Sequence, residues 1–133
     1  MTGFVDEGQA VEGVAILLWA ADASRPELLH TPFFFAAAAA AMEVPVEMYF
    51  TAASVRLLVP GVAEGLRAAY HAKDVATAMH EAVEQGVRFM ACSDALRAQG
   101  LTLEALIPEC RGHGGAVQYM ARAADRRWRT LVF

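Results

Sequence analysis

The sequence predicts a single-domain α/β fold with a five-stranded, mainly parallel sheet and helices on both faces. Three observations carry this. Short apolar runs rich in Val, Ile and Leu recur along the chain, as in residues 13–19 (GVAILLW), the mark of strands covered on both sides. Segments of helical character separate these runs, so strand and helix alternate as in consecutive βαβ units with right-handed crossovers. The 133 residues fit one ordinary domain, residues 1–133, with no internal repeat and no linker.

Each element follows from local signals. Residues 1–12 carry Asp6, Glu7 and Glu12 and are expected to be a flexible lead-in to the first strand, residues 13–19. Residues 20–30 hold Asp22, Ser24 and Pro26 and read as a loop, after which Thr31 offers an N-cap and Pro32 a first helical position. That helix runs to about Met42. Its alanines, residues 36–41, favour helix and let it lie close to a sheet or a partner subunit. Residues 44–50 (VPVEMYF) form the second strand, with Pro45 near its start, where a missing donor is tolerated. Residues 55–71 contain Pro60, Gly61 and Gly65 and are expected to make a turn and a short helix around residues 64–70. Asp74 then caps a helix over residues 75–85, whose Val75, Met79, Ala82 and Val83 share a face, and Gly86 supplies its left-handed end.

The third strand is residues 87–91 (VRFMA), followed at once by Cys92, Ser93 and Asp94 and a helix to Gln99 closed by Gly100. Thr102 opens a further helical turn that Pro108 stops. Residues 109–111 are expected as a brief fourth strand before the glycine-rich residues 112–115, residues 116–124 as a helix with Val117, Met120 and Ala121 on one side, and residues 129–133 (RTLVF) as the last strand.

Composition narrows the function classes. The hydrophobic fraction is 56% and the mean hydropathy +0.32, more apolar than most soluble domains, which points to a homo-oligomer that hides the surplus. The most apolar stretch, residues 31–42, contains Pro32 and is too short to span a membrane. The first residues lack the basic start of a secretory signal, so the expected location is the cytoplasm. Fifteen acidic against eleven basic side chains, net charge −4, argue against nucleic acid as a partner. Arg111, Arg122, Arg126, Arg127 and Arg129 crowd the last quarter, and read as a solvated helix face and edge strand rather than an anion site.

In an open parallel sheet, ligands bind outside the carboxyl ends of the strands. The candidates there are Trp19, His30, Thr51, Ser54, Cys92, Ser93, Asp94 and residues 112–115, with His113, Gly114 and Gly115 among them. Cys92 leads. A thiol at the start of a helix meets unpaired N–H groups and the positive end of the helix dipole, which favour the nucleophilic thiolate, whereas Asp94 acts against it by like charge. The competing reading is a small buried hydrophobe. Cys110 pairs with Cys92 only if the third and fourth strands are neighbours, and no C-x-x-C occurs. His30, His71, His80 and His113 show no metal-ligand spacing, so no metal site is expected. His113 is the histidine placed to assist Cys92 as proton donor or orienting group. Residues 112–115 are neither a dinucleotide fingerprint nor a P-loop, no G-x-S-x-G is present, and no cofactor is expected.

The strand ending Val87-Arg88-Phe89-Met90-Ala91-Cys92, then Gly100, Leu106-Ile107-Pro108, Gly114-Gly115-Ala116-Val117-Gln118-Tyr119 and the terminal Leu131-Val132-Phe133 resemble the DsrE/DsrF-like family of sulfur-relay proteins. The resemblance implies a five-stranded parallel sheet assembling as trimers or hexamers. It further implies a sulfurtransferase-like role in which Cys92 takes up sulfur as a persulfide from a donor and passes it to a partner protein's thiol. The first loop and residues 55–71 depart from the family pattern. The alternative is a non-catalytic oligomeric module that holds a small anionic or thiol ligand among Trp19, His30, His113 and the arginine-rich terminus of a neighbouring subunit, with Cys92 as packing.

Overall fold

The computed structural model describes residues 5–6, 9–69 and 72–133, and it places a five-stranded, all-parallel sheet at the centre of the chain. Its strands are β3 (Gly13–Leu18), β4 (Val46–Phe50), β5 (Arg88–Ala91), β6 (Cys110–His113) and β7 (Trp128–Val132), in the order β6-β5-β4-β3-β7. Ahead of them β1 (Val5–Asp6) pairs antiparallel with β2 (Gln9–Ala10). The helices are α1 (His30–Ala41), α2 (Val75–Glu84), α3 (Ser93–Ala98) and α4 (Ala116–Ala123).

Alternation along the strands sends two sets of side chains to two different faces. Val14, Ile16 and Leu18, with Val46, Met48, Phe50, Phe89 and Cys110, pack against Phe33 and Ala36 of α1, Met79 and Ala82 of α2 and Leu96 of α3. Three helices therefore cover one face. Ala15, Tyr49 and Met90 point the other way and meet only Tyr119 of α4, with Leu17 and Trp128 at the margin. This lopsided cover follows from topology. Consecutive strands from β3 to β6 add one after another to the same edge, whereas β7 lies at the far edge beside β3, and the connection that carries the chain across bears α4.

Several boundaries move from their expected places for identifiable reasons. Helix α1 begins at His30, so Pro32 stands third, where an N–H would have no helical partner in any case. Strand β4 begins at Val46, since Pro45 offers only its carbonyl, which accepts from Val14 N–H at 2.9 Å. A 3-10 helix spans Ala52–Leu58 and buries Val55, Leu57 and Leu58, while residues 59–69 are turns and bends; the expected helix around residues 64–70 is absent from the part of it described, and Tyr70 and His71 lie outside the described residues. Helix α2 forms as its signals require: Asp74 accepts from Thr77 N–H at 2.8 Å, and Gly86 takes φ +107° at the other end. Strand β6 reaches His113, because Gly112 and His113 pair with Met90 and Ala91 past an irregularity at Arg111. In α4 the expected apolar side is outward: Val117 and Met120 are exposed and Tyr119 is the buried residue.

Candidate functional site

At the carboxyl end of β5 the backbone turns directly into α3. Cys92 is the residue before the helix, its N–H bonded to Phe50 O at 2.9 Å and its carbonyl accepting from Leu96 N–H at 3.0 Å. The side chain is half-buried. Beside it, Gly114 N–H donates to Ala91 O at 3.0 Å, which draws the β6–α4 turn against the end of β5. A β-carbon at Gly114 would stand 2.9 Å from both Met90 Cβ and Tyr49 Cε2, so no larger residue fits this approach. One residue on, a β-carbon at Gly115 would lie 3.6 Å from Cys92 Sγ. Since Gly115 immediately precedes α4, the starts of α3 and α4 converge on one thiol. The first turns of both helices carry backbone N–H groups without helical partners.

Around the thiol opens a groove of about 580 Å³ lined by Cys92, Ser93, Asp94, His113, Gly114, Gly115 and the exposed side of α4. Six of the sequence candidates, Cys92, Ser93, Asp94, His113, Gly114 and Gly115, thus come together. Asp94 is exposed and its carboxylate pairs with Arg97 at 3.0 Å, which offsets the like charge near the sulfur. Trp19, His30, Thr51 and Ser54 do not line the groove. Trp19 is 58% exposed. His30 is buried within α1 and donates through Nε2 to Lys73 O at 2.7 Å. Ser54 is fully buried; its Oγ accepts from Thr51 N–H at 3.0 Å and lies 2.8 Å from Leu18 O and 2.7 Å from Thr51 O, so it fastens the end of β4.

Cys110 is a different kind of cysteine. It pairs with Phe89, three residues before Cys92, and faces the large core. Burial pushes its thiol up, only partly offset by the Gly112 backbone. Both cysteines are free. Among the described residues no group of three or more His, Cys, Asp or Glu is arranged to hold a metal ion.

At the β5–β6 edge of the sheet a second cavity, about 500 Å³, adjoins the first, and His113 and Gln118 line both. Its lining includes Met90 and Gly112 and the two arginines Arg88 and Arg111. Strand alternation from Met90 back to Arg88 was the signal in the sequence that leads to it. Nearby, Arg122 of α4 grips Glu47 of β4 with two bonds of 2.9 and 2.8 Å, Tyr49 donates to the same carboxylate at 2.7 Å, and the guanidinium lies 4.0 Å over the Trp128 ring. Burial alone raises the Glu47 pKa, but hydrogen bonds from Arg122 and Tyr49 and the charges of Arg122 and Arg88 outweigh it and hold the carboxyl below its usual range. The remaining terminal arginines serve local contacts: Arg127 pairs with Glu12 at 3.0 Å and Asp125 at 3.2 Å, and Arg129 donates to Arg126 O at 3.1 Å.

The family model described as the DsrE/DsrF-like family matches residues 15–133. The chain belongs to that family. Solved structures agree on the fold. The protein of unknown function MTH1491 from Methanobacterium thermoautotrophicum is 24% identical, with 90% of this chain and 97% of that one covered at a TM-score of 0.65. The ychN protein from E. coli is 16% identical, with 92% and 99% covered at 0.69. The protein of unknown function BT1422 from Bacteroides thetaiotaomicron is 14% identical, with 90% and 94% covered at 0.63. No curated protein matches. Membership in the DsrE/DsrF-like family brings sulfur relay into view at the level of the family, and no helix among the described residues is long and apolar enough to cross a membrane.

Proposed function

We propose that this DsrE/DsrF-like protein is a sulfur carrier that holds sulfur as a persulfide on Cys92. The observation that supports it most directly is the half-exposed Cys92 sulfur in an open groove at the sheet's carboxyl edge, against the starts of α3 and α4. The Cys92 thiolate attacks the outer sulfur of a persulfide R–S–S–H. The S–S bond of the donor breaks, R–S departs as the thiol with the persulfide's proton, and Cys92 retains the outer sulfur as Cys–S–S⁻. A partner protein's thiolate then attacks that outer sulfur and releases Cys92. No net oxidation occurs in either step. His113, which lines the same groove, donates or accepts the proton exchanged there.

The working assembly in this reading is a trimer or hexamer, and the setting one that keeps thiols reduced, the cytoplasm. Incubation with a low-molecular-weight persulfide followed by intact mass measurement tests the role. A single adduct of +~32 Da on native protein, absent from Cys92→Ser and retained in Cys110→Ser, is expected. An adduct that persists in Cys92→Ser overturns it. Full ligand binding by Cys92→Ser with no adduct on the wild type favours the non-catalytic binding module.

A further inference from the structure

We propose that the cavity beside Cys92 binds a short, peptide-like thiol or persulfide carrying free carboxylates, with its sulfur at Cys92 and its carboxylates at Arg88 and Arg111. This rests on Cys92 as the sulfur acceptor and names the donor that the site takes. Arg88 and Met90 alternate along β5 and so share the α4 side of the sheet, and Cys92 follows at the strand's end, where it also touches the large core and lies close to Gly115. Arg88 is registered opposite Glu47, which confirms the face. The cavity lined by Arg88 and Met90 and the Cys92 groove are neighbours that share His113 and Gln118 in their walls.

Charge decides what fits. Neither Arg88 nor Arg111 forms a salt bridge among the described residues, and Glu47, the acid nearest Arg88 in register, is already held by both arms of Arg122. Arg111 uses its Nε on Pro108 O and keeps its terminal nitrogens. The acid on the wall, Glu109, lies 3.3 Å from His80 Nδ1. A chain with net charge −4 therefore presents two guanidinium groups without a salt-bridge partner among the described residues in the cavity next to the Cys92 groove. Guanidinium groups recognise carboxylates by paired hydrogen bonds.

Length decides how large. Cys92 stands four strand steps beyond Arg88, about 13 Å, and three or four extended residues span about 10–14 Å. A cavity of about 500 Å³ is also of the size that holds a small ligand rather than a protein domain.

The probe is S-methylglutathione, a tripeptide thioether with free carboxylates that cannot exchange sulfur, titrated into wild-type protein by calorimetry and by amide NMR shifts. Saturable binding is expected, with shifts centred on residues 88–92 and 110–118. Its diethyl ester, and the R88Q/R111Q variant, should each bind at least about tenfold more weakly, since a hydrogen bond to a charged group is worth that much. No saturable binding, equal binding of acid and ester, or undiminished binding by R88Q/R111Q overturns the assignment. The outcome is separable from the carrier role. Binding as expected with no persulfide adduct on Cys92 leaves the cavity standing and removes the carrier; an adduct without binding does the reverse.

Discussion

Two cysteines on adjacent strands differ because one ends a strand and the other begins one. Cys110 faces the core opposite Phe89 with its thiol pushed up by burial, whereas Cys92 is half-exposed between two helix starts. Iodoacetamide at neutral pH should therefore label Cys92 of the native protein, with Cys110 slower by on the order of 10²-fold or more, because its reaction waits for local opening; comparable rates in peptide maps would contradict the assignment. The position of Cys92 was legible from the run Val87–Ala91 breaking into Ser93 and Asp94, since a strand pattern and a helix start are both local. The roles of Ser54 and His30 were not, because each is set by a carbonyl far away in sequence, Leu18 and Lys73. A second residue-scale consequence concerns Glu43, which follows α1 with φ +65° while its N–H bonds Ala40 O and Val44 N–H bonds Ala39 O. This left-handed helix end suits glycine, and Glu43→Gly should stabilise the protein by about 0.5–1 kcal/mol in denaturant unfolding, the relief of strain exceeding glycine's added unfolded-state entropy. A loss of stability would show that Glu43 is not strained.

Helix α4 is the element on which the candidate site most depends, and it is held by little. Only Tyr119 of its residues is buried, so the Glu47–Arg122 pair is its main polar fastening to the sheet, and Tyr49 links the same carboxylate to the floor under Gly114. The two partners are not equivalent: the Glu47 side chain is 4% exposed and that of Arg122 34%. Arg122→Ala leaves a buried carboxylate with the Tyr49 hydroxyl but no ion-pair partner and should cost about 3 kcal/mol near neutral pH, whereas Glu47→Gln leaves a guanidinium that can turn to water and should cost clearly less. The pH dependence has a definite sign. Glu47's pKa is lowered in the folded state, so its contribution is present above the carboxyl's unfolded pKa and is lost as pH falls through the folded value. The gap between wild type and Arg122→Ala should hence narrow as pH is lowered through the carboxylate range, measured by denaturant unfolding; a constant gap would mean that the pair carries no charge-dependent stability. None of this was legible in the sequence, because Glu47 and Arg122 lie 75 positions apart. The helix itself was legible, but Val117 and Met120 marked the wrong side, because its inward contacts are an aromatic and an arginine rather than aliphatic residues.

For the whole molecule, the alternation of apolar runs and helical segments was enough to place the parallel sheet and its family, while the strand order, with the last strand returning to the opposite edge, is fixed by contacts no local pattern records. The surplus of apolar residues read from composition has a location. Trp19, Leu28, Phe35 and Val132 are each more than half exposed, Phe133 stacks edge-on against Phe35 at 6.0 Å, and Leu28 with Phe133 lines an apolar depression of about 290 Å³ next to the unpaired edge of β7. A patch of this character beside an open sheet edge is costly to leave in water and invites strand-edge pairing unless something covers it. The proposed homo-oligomer covers it with a second copy, and a stable interface of that kind needs roughly 1,000 Å² or more. Sedimentation of the wild type at micromolar concentration should then show a trimer or hexamer, and Phe35→Glu, which sets a charge in the middle of the patch, should shift the population toward monomer while circular dichroism stays unchanged. A wild type that sediments as a monomer would remove the assembly from the proposal, and an assembly indifferent to Phe35→Glu would place its interface elsewhere, on the outward Val117 and Met120 of α4.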